Sequence, residues 1–313
     1  MDGKKRNKRR DERIIALFCS DLHLSHNAPV FRSNEPNWYE AMLRPIEELK
    51  NLQREYDCPI FCAGDIFDKW NAPAELINFS LENLPDMYAI PGQHDLPNHS
   101  LKEIAKSAFW TLVQAGKIKL LSSDFTKAFF LTPNTHISGF AFGEKIVSGQ
   151  SDRNLHHIAI IHQYNWIPKC NYIGARIENL VSTDRKEFEG YDLVVSGDNH
   201  QWFKAKTKSG IFWNAGCFMR RHANEKHYFP TVGMLTENGQ MFGYDLSISS
   251  DKYIEVDNKR EEAKEMDLQK LVKSLQSLNS SKTDFVKTVE EFMQKYKSDE
   301  EVQKIMATAM GLK

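Results

Sequence analysis

The stretch Ile14-Ile15-Ala16-Leu17-Phe18-Cys19-Ser20-Asp21-Leu22-His23 sets six apolar residues in a row, then places an acid and an imidazole two positions apart. A short apolar run with no polar alternation is the mark of a strand buried on both faces. The polar pair that follows falls where such a strand ends. The same arrangement recurs down the chain. Ile60–Ala63 leads into Gly64-Asp65 with Asp68, and Tyr88–Ile90 leads into Gly92-Gln93-His94-Asp95. His157–His162 ends on a histidine, and Leu193–Ser196 leads into Gly197-Asp198-Asn199-His200. In sheets with α/β connections ligands bind outside the carboxyl ends of the strands, so five polar clusters at strand ends converge on one place.

Between the early strands lie helical patterns. Met42, Ile46, Leu49 and Leu52 recur at helical spacing, with Pro45 set to kink that helix or delay its start. Pro73 suits the first turn of a second helix. Ser100 and Glu103 have capping-box spacing for a third, which Gly116 would stop. The strand–helix alternation implies βαβ units and a largely parallel sheet. Beyond Gly116 the pattern changes to strands: Lys117–Leu121, Ala128–Leu131, His136–Ala141, Trp202–Thr207, Ile211–Asn214, Thr231–Leu235 and Met241–Leu246. Asn238-Gly239 favours a tight hairpin between the last two. Many strands with few crossovers imply a second sheet packed on the first, giving an α/β sandwich. The segment from Ile173 to Tyr191 follows no clear period.

Three parts emerge: a basic tail over 1–12, the main domain over 13–250, and a helical C-terminal extension over 251–313. In the extension Leu268, Leu271, Val272, Leu275 and Leu278 mark one amphipathic face, and Phe285, Val289, Phe292 and Tyr296 a second. Ser298 and Glu301 can cap a third helix carrying Val302, Ile305, Met306 and Ala309. The tail carries Lys4, Lys5, Arg6, Lys8, Arg9 and Arg10 without apolar periodicity. Such a run is a solvated tail, a contact for nucleic acid, or an import signal.

Composition sets the class. The chain has 313 residues, 41% apolar and 27% charged, with a formal net charge of −1, as expected of a globular protein. No apolar run is long enough to span a membrane, and no secretory signal follows the basic start. Five cysteines without regular spacing imply reduced thiols and a cytoplasmic setting. Cys58 and Cys62 flank a buried strand and read as core residues.

Carboxylates, an amide oxygen and imidazoles, with no thiolate, are the ligand set for divalent cations of intermediate hardness. A carboxylate can bridge two such ions, and two ions about 3.5–4 Å apart can bind a hydroxide nucleophile together with a phosphoryl oxygen. Taken together, the motifs resemble those of the calcineurin-like metallophosphoesterase family over roughly residues 14 to 246. The resemblance implies a two-sheet fold flanked by helices, with Asp21, His23 and His200 on a first cation and Asp65 bridging to a second. Gln93, His162 and Asp198 would hold the second cation. His94 would protonate the leaving oxygen, oriented by Asp95, and Asp68 would stand behind the ligands. Two positions depart from the family pattern: Gln93 where Asn is usual, and Asp198 where His is usual. A longer amide and a shorter carboxylate can compensate in reach, and the added charge hardens the second site; the alternative is a weakened second site and a crippled enzyme. Manganese is therefore the leading cation, with magnesium, iron and zinc as alternatives.

Gly64-Asp65-Ile66-Phe67-Asp68 and Ile90-Pro91-Gly92-Gln93-His94-Asp95 further resemble the DNA-repair nuclease branch, in a phage or prophage form, which implies the cytoplasm of a bacterial or phage-infected cell. That branch includes the nuclease subunit of bacterial SbcCD. The resemblance implies exonucleolytic or endonucleolytic hydrolysis of DNA, and an ATPase partner of the SbcC type. Arg220 and Arg221 can bind flanking phosphates, and Tyr164 and Trp166 can stack on bases. The alternatives are a phosphatase or phosphodiesterase for a small nucleotide or other non-polymeric phosphate, and a partner-dependent subunit. The C-terminal helices can pack on the main domain or form a separate module for a partner or self-association, and no membrane association is expected.

Overall fold

The computed structural model describes residues 12–149, 155–172 and 175–254. Along the chain, β1 (Ile14–Cys19) is followed by α1 (Trp38–Tyr56), β2 (Ile60–Cys62), α2 (Ala74–Asn83), β3 (Met87–Ala89), α3 (Ala108–Gln114) and β4 (Ile118–Leu120). Six further strands follow: β5 (Phe129–Thr132), β6 (Thr135–Phe140), β7 (His156–His162), β8 (Leu193–Gly197), β9 (Phe203–Lys206) and β10 (Ile211–Asn214). The chain then returns through β11 (Thr231–Thr236) and β12 (Met241–Asp245). One sheet has the order β12-β11-β1-β2-β3-β4 and the other β5-β6-β7-β8-β10-β9. Strands β1 to β4 pair in parallel, as do β6, β7, β8 and β10. Antiparallel strands complete both sheets: β11 and β12 on the first, β5 and β9 on the second. The expected two-sheet α/β architecture is therefore present, with helices flanking the first sheet.

The two-residue period of β1 sorts its side chains between layers. Leu17 and Cys19 face α1 to α3 in one core, whereas Ala16 and Phe18 face the second sheet. The layer between the sheets holds Phe18, Phe61, Ile90, Ile160, Val195 and Trp213. Full burial of each such side chain stabilises by roughly 1.5–3 kcal/mol. The outer face of the second sheet is covered by Phe188 and Tyr191. They come from the stretch that had no readable period, which holds two 3-10 turns, Ile177–Asn179 and Lys186–Phe188.

Local signals held in part. Asn37 starts α1 by accepting from the amides of Tyr39 and Glu40. The helix runs through Pro45 without ending there: Ala41, Met42, Ile46, Leu49 and Leu52 bury one face on both sides of it. That packing offsets the missing backbone bond. The hairpin at Asn238-Gly239 forms, with Gly239 at φ +80° and its amide donating to Thr236. The capping box at Ser100 does not. Glu103 is taken by Asn98 and Lys106, and Leu101–Lys106 is a 3-10 turn. The third helix starts later, where Ser107 accepts from the amide of Trp110 and Ala108, Phe109 and Leu112 turn inward.

The domain also runs past the expected limit at 250. Tyr253 stacks on Phe31 with ring centroids 5.1 Å apart, and the amide of Ile254 donates to Phe31. The basic tail and the three C-terminal helices read from the sequence lie outside the described residues. No helix among the described residues is long and apolar enough to cross a membrane.

Candidate metal centre

The carboxyl ends of β1, β2 and β3 from one sheet meet those of β7 and β8 from the other. All five motifs arrive there. Asp21 binds the two sheets together, its carboxylate accepting from the amide of Asp198 at 3.1 and 3.3 Å. The backbone turns sharply at the candidate ligands: Asp21, His23, Asp65 and Asp198 have φ of 53°, 45°, 52° and 80°. Non-glycine residues seldom adopt this left-handed region, and their concentration here marks strain held by the surrounding fold. Gly92 permits the closest approach. A Cβ on it would lie 2.1 Å from Asp65 Oδ1 and 2.6 Å from the Asp65 amide nitrogen.

Three groups of side chains place their ligand atoms within 4.8 Å of one another: Asp21 with His23 and His200, Asp21 with Asp65 and His162, and His23 with Asp68 and His94. In the first, His23 Nε2 and His200 Nε2 stand 3.2 Å apart, and Asp21 Oδ1 lies 3.7 Å from the former and 4.0 Å from the latter. In the second, His162 Nε2 is 3.4 Å from Asp65 Oδ2, in ion-pair range without hydrogen-bond geometry. Gln93 and Asp198, the two residues that depart from the family pattern, meet directly: Gln93 Nε2 donates to Asp198 Oδ1 at 2.7 Å. A carboxylate can only accept, so the Gln93 amide oxygen must turn the other way.

The buried polar atoms left without a hydrogen-bond partner include Asp65 Oδ2, Gln93 Oε1 and His162 Nε2. Burying such atoms unpaired is costly, and a divalent cation is the partner that satisfies an acid, an amide oxygen and an imidazole at once. The residues present therefore fit a pair of divalent cations.

The histidines are prepared in the same sense. His162 Nδ1 is held by the Ala63 carbonyl, His200 Nδ1 by Glu225 at 3.0 Å, and His94 Nδ1 by the Asp68 carbonyl at 2.8 Å. Each arrangement leaves Nε2 as the working nitrogen. Charge agrees. Burial pushes the Asp21 carboxyl up to about 6 against the pull of His162 and His200. Burial acts upward on Asp65 too, yet His162 and His23 hold it well below the usual carboxylate range. Burial opposes protonation of His162, but Asp65 and Asp21 raise it to about 10. Burial drives His23 well below its ordinary value. The acids thus demand positive charge, which the His162 proton supplies until a cation displaces it.

Several side chains do other work than the sequence suggested. Asp95 does not orient His94; its carboxylate accepts from the amides of Ile66, Phe67 and Gly92 and braces two motif loops. Burial and neighbouring Asp65 push it up to about 7. The Asp68 carbonyl orients His94 instead, while the Asp68 carboxylate pairs with Arg221 at 2.8 Å. Arg221 is buried, so its charge goes to the site's frame and not to a free phosphate clamp. Arg220 is buried as well: it donates to the Lys226 carbonyl at 2.8 Å and to Asp251 at 3.2 Å, under the Tyr253 ring. It fastens the 251–253 segment and is withdrawn from substrate. Trp166 donates its indole N–H to the Arg176 carbonyl at 2.9 Å, and Tyr164 is half-buried. Asn199 is structural, donating to the carbonyls of Asn165 and Cys170.

Glu225 is the residue sequence reading missed. It is buried, its Oε1 meets His200, and its Oε2 accepts from the amides of Arg221 and His222 at 2.6 and 2.9 Å. Burial is outweighed by these bonds, so its carboxyl is held below the ordinary range. Its one sequence signal was the spacing His222-x-x-Glu225, which the structure realises as a capping box.

A two-sheet frame with an Asp/His cluster suited to two cations defines a class of metal-dependent phosphoester hydrolases. A family model described as calcineurin-like phosphoesterase matches residues 16–202, more than half of the chain, and the chain belongs to that family. No curated protein sequence matches it. Among solved structures it is similar to a Staphylococcus aureus protein assigned as a 5′-nucleotidase, at 12% identity and TM-score 0.42, covering 80% of this chain and 58% of that one. It is also similar to an archaeal phosphodiesterase, at 13% identity and TM-score 0.39, covering 74% and 99%. The third is the Bacillus subtilis calcineurin-like phosphoesterase YfkN, at 10% identity and TM-score 0.40, covering 82% and 98%. Likeness of this degree does not choose a substrate. The family is one of hydrolases with dinuclear divalent centres, and the Asp/His groups described above are the residues that can hold such a centre here.

Proposed function

We propose that the chain is a phosphodiesterase that cleaves DNA, with Asp21, His23, Asp65 and His200 holding one cation and Asp65, Gln93, His162 and Asp198 the other. Manganese is the preferred ion, because three oxygen donors and a single imidazole make the second position hard. When bound, the two cations withdraw charge from phosphoryl oxygens and make water a better nucleophile.

The observation that carries the phosphoester-hydrolase reading is His94. It is exposed at the cluster's rim, its ring packs edge-on against His23 at 4.8 Å, and its Nδ1 is tied to the Asp68 carbonyl. The transferable proton therefore sits on Nε2 of the protonated ring. As the ester P–O bond breaks, the leaving oxygen takes that proton and His94 is left neutral. Water supplies hydroxide to phosphorus, and its other proton returns to solvent. An alkoxide leaving group, as in a nucleic acid strand, needs such a donor.

DNA is favoured by an open rim, where Gln93, Asp198 and His200 are only partly buried, and by the basic run at residues 4–10. A second reading, a diesterase for small nucleotides, is favoured by the engagement of Arg220 and Trp166 elsewhere. Manganese-loaded protein and His94→Ala should be given labelled single- and double-stranded DNA, cyclic dinucleotides and a chromogenic phosphodiester. DNA cleavage that collapses in His94→Ala supports the first reading. Cleavage of small diesters but never of DNA selects the second, and turnover of none refutes both.

A further inference from the structure

Beside the cluster, with Asp68 in its lining, lies a pocket of about 300 Å³. That is the small end of the roughly 300–1,000 Å³ usual for ligand pockets, enough for one flat ring system and too little for a folded polymer. Leu24, Ala72, Pro73 and Leu76 give it an apolar wall, and Asn27, Lys69 and Asn71 line it with polar groups. Leu24 and Leu76 are buried, so that wall is fixed by the core. The three polar side chains are exposed, and none of them has a hydrogen bond or ion pair among the described residues. His26, also on the lining, is held at Nδ1 by the Tyr39 hydroxyl at 3.0 Å.

The geometry points to a subsite for the nucleobase of the leaving nucleotide. An apolar wall takes the face of a heterocycle. The free carboxamides of Asn27 and Asn71 each offer a donor pair and an acceptor, the complement of a base edge. Lys69 supplies a point charge for the adjoining phosphate. Position assigns the side. Asp68 lines this pocket, and the same residue's carbonyl fixes His94, the donor to the leaving oxygen. A nucleoside bound here has its departing oxygen on the His94 side of the centre. The inference rests on the diesterase reading and adds the group the enzyme recognises.

The test uses free nucleosides, which carry no phosphate for the cations to hold. Adenosine and thymidine are added to the manganese-loaded full chain as it turns over bis(p-nitrophenyl) phosphate, beside Asn71→Ala and the pocket-filling Ala72→Trp. Asn71 is exposed, so its truncation leaves the fold intact even if the tryptophan variant misfolds. The expected result is competitive inhibition of the wild type by at least one nucleoside, weakened tenfold or more in Asn71→Ala and in Ala72→Trp. The ratio of kcat/KM for a dinucleotide to that for the chromogenic diester should fall at least tenfold with it. Turnover of the chromogenic diester with no nucleoside inhibition, or with inhibition equal in all three proteins, overturns the subsite and leaves the diesterase standing. No turnover of that diester by the wild type removes the diesterase reading and the subsite together.

Discussion

Replacing Glu225 with Gln changes one atom type and reverses the logic of the His200 ring. In the native protein Glu225 Oε1 faces His200 Nδ1 at 3.0 Å, and Oε2 accepts two backbone amides. A glutamine keeps its oxygen on those amides, since the alternative would set two donors against two donors. Its NH2 then faces His200 Nδ1, which must become the acceptor, and the ring proton moves to Nε2. That is the nitrogen 3.2 Å from His23 Nε2 and 4.0 Å from Asp21 Oδ1, where a cation needs a lone pair. Losing an orienting carboxylate behind a metal-bound histidine costs roughly 10–100-fold in metal affinity, or about 1.4–2.7 kcal/mol. The fold should survive, because no buried amide loses its partner. Glu225→Ala strands the Arg221 and His222 amides, at ~1–3 kcal/mol each, and should melt several degrees lower. Manganese binding by calorimetry, beside thermal melts, separates the two effects. Affinity in Glu225→Gln equal to wild type, with an unchanged melt, would refute the assignment of Glu225 as the group that sets the His200 tautomer.

Other consequences are equally direct. Gly92→Ala puts a methyl 2.1 Å from Asp65 Oδ1 and 2.6 Å from the Asp65 backbone nitrogen, so the β2 and β3 loops must part. Manganese stoichiometry should drop, and full occupancy in this variant would show that the approach is not needed. His94→Ala should slow a dinucleotide by about 10²–10⁴-fold but a p-nitrophenyl diester far less, because nitrophenolate leaves without a proton; equal losses on both would remove the general acid. Burial raises the Glu35 carboxyl, but the Lys252 amide, Arg32 and Arg44 outweigh it and hold it below its ordinary 4.5. A depressed folded value means this contribution is complete above pH 4.5 and fades as pH falls below it. Melting curves of Glu35→Gln should therefore converge on wild type in acid and diverge toward neutrality, and a constant gap would contradict this linkage.

Much of this molecule can be read from the chain because the strands that lead into its motifs are buried on both faces. Residues 14–19 are apolar throughout, and the candidate ligands follow where the apolar run stops. Pattern and chemistry coincide there. Legibility failed where a contact joins residues far apart in sequence. Arg220 finds Asp251 and Tyr253 only after the chain has passed β12, so no local signal separates it from a phosphate-binding arginine. Asp95 looks like the partner of His94 because they are adjacent, but it turns inward to the amides of Ile66, Phe67 and Gly92. The Asp68 carbonyl that does hold His94 is a backbone atom, and sequence patterns are blind to backbone acceptors. The late start of α3 has a nearer cause: Asn98 and Lys106 compete for Glu103, and burial of Phe109 and Leu112 rewards a start at Ser107. The departures at Gln93 and Asp198 were legible as a matched pair, and in the folded protein the two side chains share a hydrogen bond.

The central claim is that both halves of the Asp/His cluster hold cations despite those two departures. It is tested most directly by metal content and diester turnover measured on one sample, loaded with manganese and dialysed. The account predicts two manganese ions per chain and turnover that a chelator abolishes and manganese restores. One tightly held ion, with turnover indifferent to added manganese, would contradict it.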